Sequence, residues 1–262
     1  MLLEGKIALI AGAATGLGSV SARLFAQEGA KVIIADINDK EGEKIIREIK
    51  QQGGEATYLH VDLSSVGEIE RMVKVAADAF GNFSIFWHNA GTLQPGHIEM
   101  IEEKSFDQEL AVGLKAAIFG TKFAIPVIRQ AGGGCIMYTS SMVGLRPTPY
   151  RQGYSLTHGI EKAAMIMLMR CIVAPMAKYN IRVNCICPGP VATDKWLEEQ
   201  KVQAKLSGMD FDTYYKAAVE RIPLKRTITE AEIASAAAFL VSDKASGMTG
   251  VAFPVDGGFA AV

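Results

Sequence analysis

Cysteine is scarce in this chain: four thiols in 262 residues, Cys135, Cys171, Cys185 and Cys187, with no C-x-x-C spacing and no paired framework. That excludes a disulfide scaffold and fits a reducing cytoplasm. Cys185 and Cys187 stand two apart in a strand-like run, where core thiols are expected in preference to a zinc site, and no metal is expected. An excess of one charge is also missing, since 27 Lys and Arg face 28 Asp and Glu and leave a net charge of -1. With the positive residues scattered, the electrostatic footprint of a nucleic-acid or anionic-membrane binder is absent. The longest apolar segment, 163-AAMIMLMRCIVAPMA-177, is broken by Arg170 and Pro175 and falls short of the ~18 residues of a membrane span. A buried helix is expected there. The first residues carry Glu4 and Lys6 and do not read as a signal peptide. No linker, low-complexity run or internal repeat divides the sequence, so residues 1–262 are expected to form one domain. Small molecules or other proteins remain as partners.

What is present is alternation. With 49% hydrophobic and 21% charged residues, the chain has the balance of a globular domain with a sizeable core. Short β-branched runs at 6–11, 31–36, 56–61, 83–88, 134–140, 181–187 and 250–255 are separated by segments of helical period. This pattern predicts an α/β fold with a doubly wound parallel sheet, its strands covered on both faces. The segment 39-DKEGEKIIREIKQQGG-54 is an amphipathic helix burying Ile45, Ile46 and Ile49. The alternation fails over 188–228, a polar-aromatic excursion with Trp196, Met209, Phe211, Tyr214 and Tyr215. Such insertions at the C-terminal edge of a sheet build substrate pockets, and these residues favour an apolar ligand, cyclic ones included.

The first strand runs into 12-GAATGLG-18 and then an apolar helix. Glycines there permit a tight turn and close approach of helix amides to a pyrophosphate, although the spacing is G-x-x-x-G-x-G, not G-x-G-x-x-G. Asp36 ends the second strand about twenty residues on, where a carboxylate accepts hydrogen bonds from an adenosine ribose diol and repels a 2′-phosphate. No basic residue stands at Ile37 or in the turn, so NAD is the expected cofactor.

Taken in order, the glycine turn, Asp36, 62-DLS-64, 89-NAG-91, 138-YTSS-141, Tyr154, 188-PGPVAT-193 and 256-DGG-258 make the chain resemble the short-chain dehydrogenase/reductase family over essentially its whole length. The resemblance implies a single-domain Rossmann-like sheet of about seven strands and an oxidoreductase that interconverts a secondary alcohol and a ketone. It implies that Gly12, Gly16, Leu17 and Gly18 line the pyrophosphate and that Asp62 and Leu63 flank adenine. Asn89, Ala90 and Gly91 would support the cofactor, and Pro188, Gly189, Val191 and Thr193 would border the nicotinamide. Ser141, thirteen residues before Tyr154, would position the substrate oxygen, with Tyr154 as acid or base beside the cofactor. Family members are commonly homotetramers or homodimers that pack two long helices, here about 105–130 and 150–178, against their symmetry mates.

Two positions depart from the family pattern. Tyr-x-x-x-Lys becomes Tyr154-Ser-Leu-Thr-His158, and V-N-L-K becomes 112-VGLK-115, with Gly113 at the asparagine position. A free tyrosine has a pKa of about 10, so ionising it near neutrality costs roughly 4 kcal/mol. A fixed ammonium lowers that cost, whereas histidine is mostly neutral above about 6.5. Three outcomes follow for a site containing His158. The imidazole bonds the ribose and passes the proton; Lys162, one turn further along and of doubtful reach, substitutes for the lysine; or the protein binds NAD with weak or no turnover and serves a structural or regulatory role. Reuse of the pocket for elimination or isomerisation is a further alternative. Gly113 either exposes a backbone carbonyl at a local kink or allows close helix packing. His60, His88 and His97 share no metal-ligand spacing, and His97, just after 89-NAG-91, is a lesser pocket candidate.

Overall fold

Near-continuous aliphatic runs become the strands β1 (Ile7–Ala11), β2 (Lys31–Asp36), β3 (Ala56–His60), β4 (Ile85–His88), β5 (Gly134–Thr139), β6 (Ile181–Pro188) and β7 (Ala252–Val255). The computed structural model describes residues 1–92, 98–147 and 156–262. All seven strands lie parallel in the order β3-β2-β1-β4-β5-β6-β7, the doubly wound sheet the alternation implies. The helices are α1 (Gly16–Gln27), α2 (Asp39–Gln51), α3 (Val66–Phe80), α4 (Glu103–Leu110), α5 (Ala116–Gln130), α6 (Met142–Leu145), α7 (Leu156–Ala177), α8 (Asp194–Leu206), α9 (Phe211–Glu220) and α10 (Glu230–Val241).

Because strand side chains alternate, one sheet feeds two cores. Leu9, Ile33, Phe86 and Ile136 join Met72 of α3, Ala124 of α5 and Met165 and Met169 of α7. Ala8, Ile10, Ile34 and Trp87 on the other face join Phe25 of α1, Ile45, Ile46 and Ile49 of α2, and Ala237 of α10. The methionine stripe of α7 therefore divides: Met165, Met169 and Met176 are core, while Met167 is exposed. Cys135, Cys185 and Cys187 are buried thiols and Cys171 is exposed. The helical stretch Glu103–Gln130 is long and apolar enough to cross a membrane by length and composition, but Ala116, Ala117, Ala124 and Ile128 bury one of its faces in the core.

The chain leaves β1 towards β2 and β3 on one side and later resumes at β4 on the other, so the strand order reverses between β1 and β4. A cleft opens at the C-terminal ends of strands at such a switch point. Four residues brace it from within. The indole N–H of fully buried Trp87 donates to the Thr139 hydroxyl at 2.9 Å, which donates to Asn89 Oδ1 at 2.9 Å, and Asn89 Nδ2 donates to the Gly12 carbonyl at 2.6 Å. This chain of bonds ties the ends of β4 and β5 to the glycine turn.

Replacing Thr139 by valine leaves two buried polar groups without partners, so a loss of about 1–3 kcal/mol is expected. Urea unfolding of Thr139→Val measures it, and a stability equal to the native protein's would show that the bonds do not brace the sheet.

Candidate active site

The glycine turn is built by steric exclusion. Gly12 has φ of 80° and Gly16 of 54°, conformations that disfavour a Cβ. A Cβ on Gly12 would also stand 2.5 Å from Ala90, and one on Gly18 would strike the Gly12 carbonyl. Strand β1 thus passes straight into α1, whose first turn lies against the cleft. Asp36 joins the turn to β2: its carboxylate accepts from Ala14 N at 2.9 Å and from Asn38 N at 3.1 Å. It lines the cleft beside Ile37, which is 61% exposed.

The cleft has a volume of about 550 Å³. Asp62 and Leu63, Asn89 to Gly91, and Pro188, Gly189, Val191 and Thr193 all line it, as do Gly12, Leu17, Ser141 and His158. Gly16 and Gly18 shape the turn behind it. Tyr154 and His97 lie outside the described residues. The aromatic excursion folds as α8 and α9, with Trp196 stacking edge-on against Tyr215 at 5.9 Å and reaching the cleft.

Lys162 does not stand beyond reach, contrary to its expected place past His158. It is 4% exposed and lines the same cleft. Its ammonium donates to the Thr139 carbonyl at 3.1 Å and to Glu161 Oε1 at 3.0 Å, and its own carbonyl accepts from Ser140 Oγ at 2.7 Å. The cation thus sits where the end of β5 meets Gly91, whose Cβ would be 3.1 Å from Nζ. Burying an ammonium is tolerable because these partners replace water. Burial raises the Glu161 carboxyl above its usual range, and the ammonium beside it acts in the opposite direction.

Gly113 allows close packing, and it does so within a local departure from α-helical winding. Residues Ala111–Lys115 form a π-helical turn between α4 and α5, a widening of the helix frequent at functional sites. Gly113 is also where Glu161 packs: an added Cβ would overlap its carboxyl group. Glu109, one turn earlier, is 1% exposed, and its Oε1 lies 3.8 Å from His158 Nδ1. Ligand atoms of Glu109, His158 and Glu161 all fall within 4.8 Å of one another. His88, fully buried at the end of β4, is pushed down to about 3 by burial first and by the nearby Lys162 ammonium second. It is therefore neutral at physiological pH and adds no second cation beside Lys162. Sequence spacing missed Glu109 and Glu161, since acids on helices read as solvated faces.

Comparison with known proteins agrees with this architecture. A family model described as enoyl-(acyl carrier protein) reductase matches residues 12–260. An uncharacterized oxidoreductase of Thermotoga maritima is 36% identical, with both chains covered in full. A 2,5-dichloro-2,5-cyclohexadiene-1,4-diol dehydrogenase of Sphingobium indicum is 33% identical over 98% of this chain and 97% of its own. The crystal structure of L-sorbose reductase from Gluconobacter frateurii, complexed with NADPH and L-sorbose, superimposes with a TM-score of 0.92 at 28% identity, with 100% of each chain covered. The chain belongs to the short-chain dehydrogenase/reductase family, a class of oxidoreductases.

Gly113→Ala should cost about 1–2 kcal/mol by crowding buried Glu161. In a Glu161→Ala background the same change should be neutral or stabilising, because alanine exceeds glycine in helix propensity by about 1 kcal/mol. Urea unfolding of the four proteins of this cycle measures the coupling, and equal costs in both backgrounds would show that Gly113 does not make room for Glu161.

Proposed function

We propose that this protein is an NAD-dependent oxidoreductase that interconverts a secondary alcohol and a ketone on an apolar substrate, cyclic ones included. The observation that carries the reading is the buried Lys162 ammonium sharing one cleft with Ser141 and His158. It favours turnover over a merely structural or regulatory NAD site, because a desolvated cation is costly to keep.

The residues present fit a dinucleotide. Close backbone approach at Gly12 and Gly18 leaves room that any Cβ would fill, and the start of α1 offers amides to a pyrophosphate. Asp36 would hold the adenosine ribose diol, Asp62 and Leu63 the adenine, and the turn at Pro188–Gly189 with Thr193 the nicotinamide end. Exposed Ile37 beside the Asp36 carboxylate offers no charge to a 2′-phosphate, which favours NAD, although the sorbose reductase named above is a complex with NADPH. When bound, the nicotinamide supplies the hydride acceptor or donor. The chain's own part is to hold the substrate oxygen at Ser141 and to keep a fixed positive charge at Lys162, which favours a developing alkoxide. The apolar side chains of Val112, Val191 and Trp196 at the cleft suit a hydrocarbon ring, as does the cyclic diol in the name of the Sphingobium relative.

Exposed Ile118 of α5 and Ile160 and Met167 of α7 support a homodimer or homotetramer through these two helices. Three buried free thiols suit a cytoplasmic setting.

Purified protein with NAD and a panel of cyclic and acyclic secondary alcohols should form NADH, read by absorbance. The double variant Asp36→Ala, Ile37→Arg should move the ratio of kcat/KM for NAD over NADP by at least about tenfold towards NADP, the scale of a lost hydrogen-bonded charge. A native preference for NADP would overturn the cofactor assignment, and no nicotinamide reduction across the panel would overturn the alcohol dehydrogenase reading.

A further inference from the structure

The cleft contains an imidazole with the surroundings of a general base. His158 lines the cleft with its side chain 18% exposed, and its Nδ1 faces the Glu109 carboxylate at 3.8 Å, within ion-pairing distance. Glu109 has almost no exposure. An imidazole with a buried acid facing Nδ1 has the arrangement in which Nε2 exchanges the proton. One helical turn later on the same face stands Lys162, a consequence of the four-residue spacing. Lys162 is in turn held by Glu161, which occupies space left by glycine at 113. The segment 158-HGIEK-162 therefore brings an imidazole and a fixed ammonium to the wall of the cleft that Ser141 also lines.

We propose that His158 is the proton-exchanging residue of the site. The inference rests on the oxidoreductase reading and changes the identity of the acid or base from Tyr154 to His158. In the oxidative direction the substrate O–H bond breaks and its proton passes to Nε2 of neutral His158. An oxidised nicotinamide would supply the acceptor for the C–H hydrogen and its electron pair as the C=O bond forms, and the imidazolium later releases its proton to solvent. In reduction the imidazolium returns that proton. Glu109 acts as a positioning residue facing Nδ1, while Lys162 supplies the positive field at the oxygen. Among the described residues, the ionisable groups near His158 are Glu109 from α4 and Glu161 and Lys162 from its own helix, with His88 of β4 beyond Lys162.

Three variants and two readouts test this. His158→Gln should lose at least about a hundredfold in kcat with a secondary alcohol, within the range for loss of a general base. His158→Tyr should recover hydride transfer, with the acidic limb of its kcat/KM profile moved to higher pH, because a phenol ionises about 3 units above an imidazole. A structural role would give neither the recovery nor the shift. Independently of turnover, the imidazole resonance that disappears from the histidine-selective NMR spectrum of His158→Gln should shift when cyclohexanol is added to the native protein with NADH. Turnover in His158→Gln within about threefold of native, or failure of that resonance to respond to cyclohexanol, overturns the proposal. Should Tyr154→Phe abolish hydride transfer while His158→Gln keeps it, the oxidoreductase reading stands and the assignment to His158 falls. Absence of hydride transfer by both native protein and His158→Tyr across the panel removes both.

Discussion

The site depends on one buried cation. An ammonium with almost no exposure is affordable only if oxygen atoms replace its water, and Lys162 finds them in the Thr139 carbonyl and the Glu161 carboxylate. Each partner imposes a further condition. The carboxylate requires space, supplied by glycine at 113 within a π-helical turn. The carbonyl requires β5 to end at a fixed point, which sheet register and the Ser140 bond to the Lys162 carbonyl enforce. Gly113, Glu161 and Lys162 are thus one packing unit, and none of the three residue types is replaceable without disturbing the others.

Thr139 connects this unit to the dinucleotide end. Its carbonyl holds Lys162 while its hydroxyl sits in the chain from Trp87 through Asn89 to the Gly12 carbonyl. A single residue at the tip of β5 therefore sets the position of the fixed charge relative to the glycine turn. That is how a parallel sheet makes a reactive site: the strand ends are fixed by core packing on both faces, and the polar groups that follow them inherit that rigidity.

The fold was legible because its signals are local. Seven apolar strand runs and the Ile45, Ile46, Ile49 stripe each follow from side-chain periodicity, and the glycine turn follows from φ and steric room. That Asp36, Asn89 and Pro188 line one cleft was equally legible, since they sit at strand ends. The Lys162 end of the cleft was not. Spacing counted forward from Ser141 put His158 where a lysine belongs, but Lys162 reaches the cleft from one turn further along α7. Glu109 and Glu161 were missed as well. Their burial depends on contacts between α4, α7 and the π-helical turn, which no period along one helix reveals.

The most direct measurement of the central claim follows the transferred atom. The protein would be incubated with NAD and cyclohexanol deuterated at the carbinol carbon, and the nicotinamide product would be analysed by mass spectrometry and NMR. The account requires deuterium at the nicotinamide ring, since the C–H electron pair leaves as hydride from a carbon whose oxygen is held in the cleft. NADH formed without deuterium, or cyclohexanone formed with the label lost to water, would contradict it.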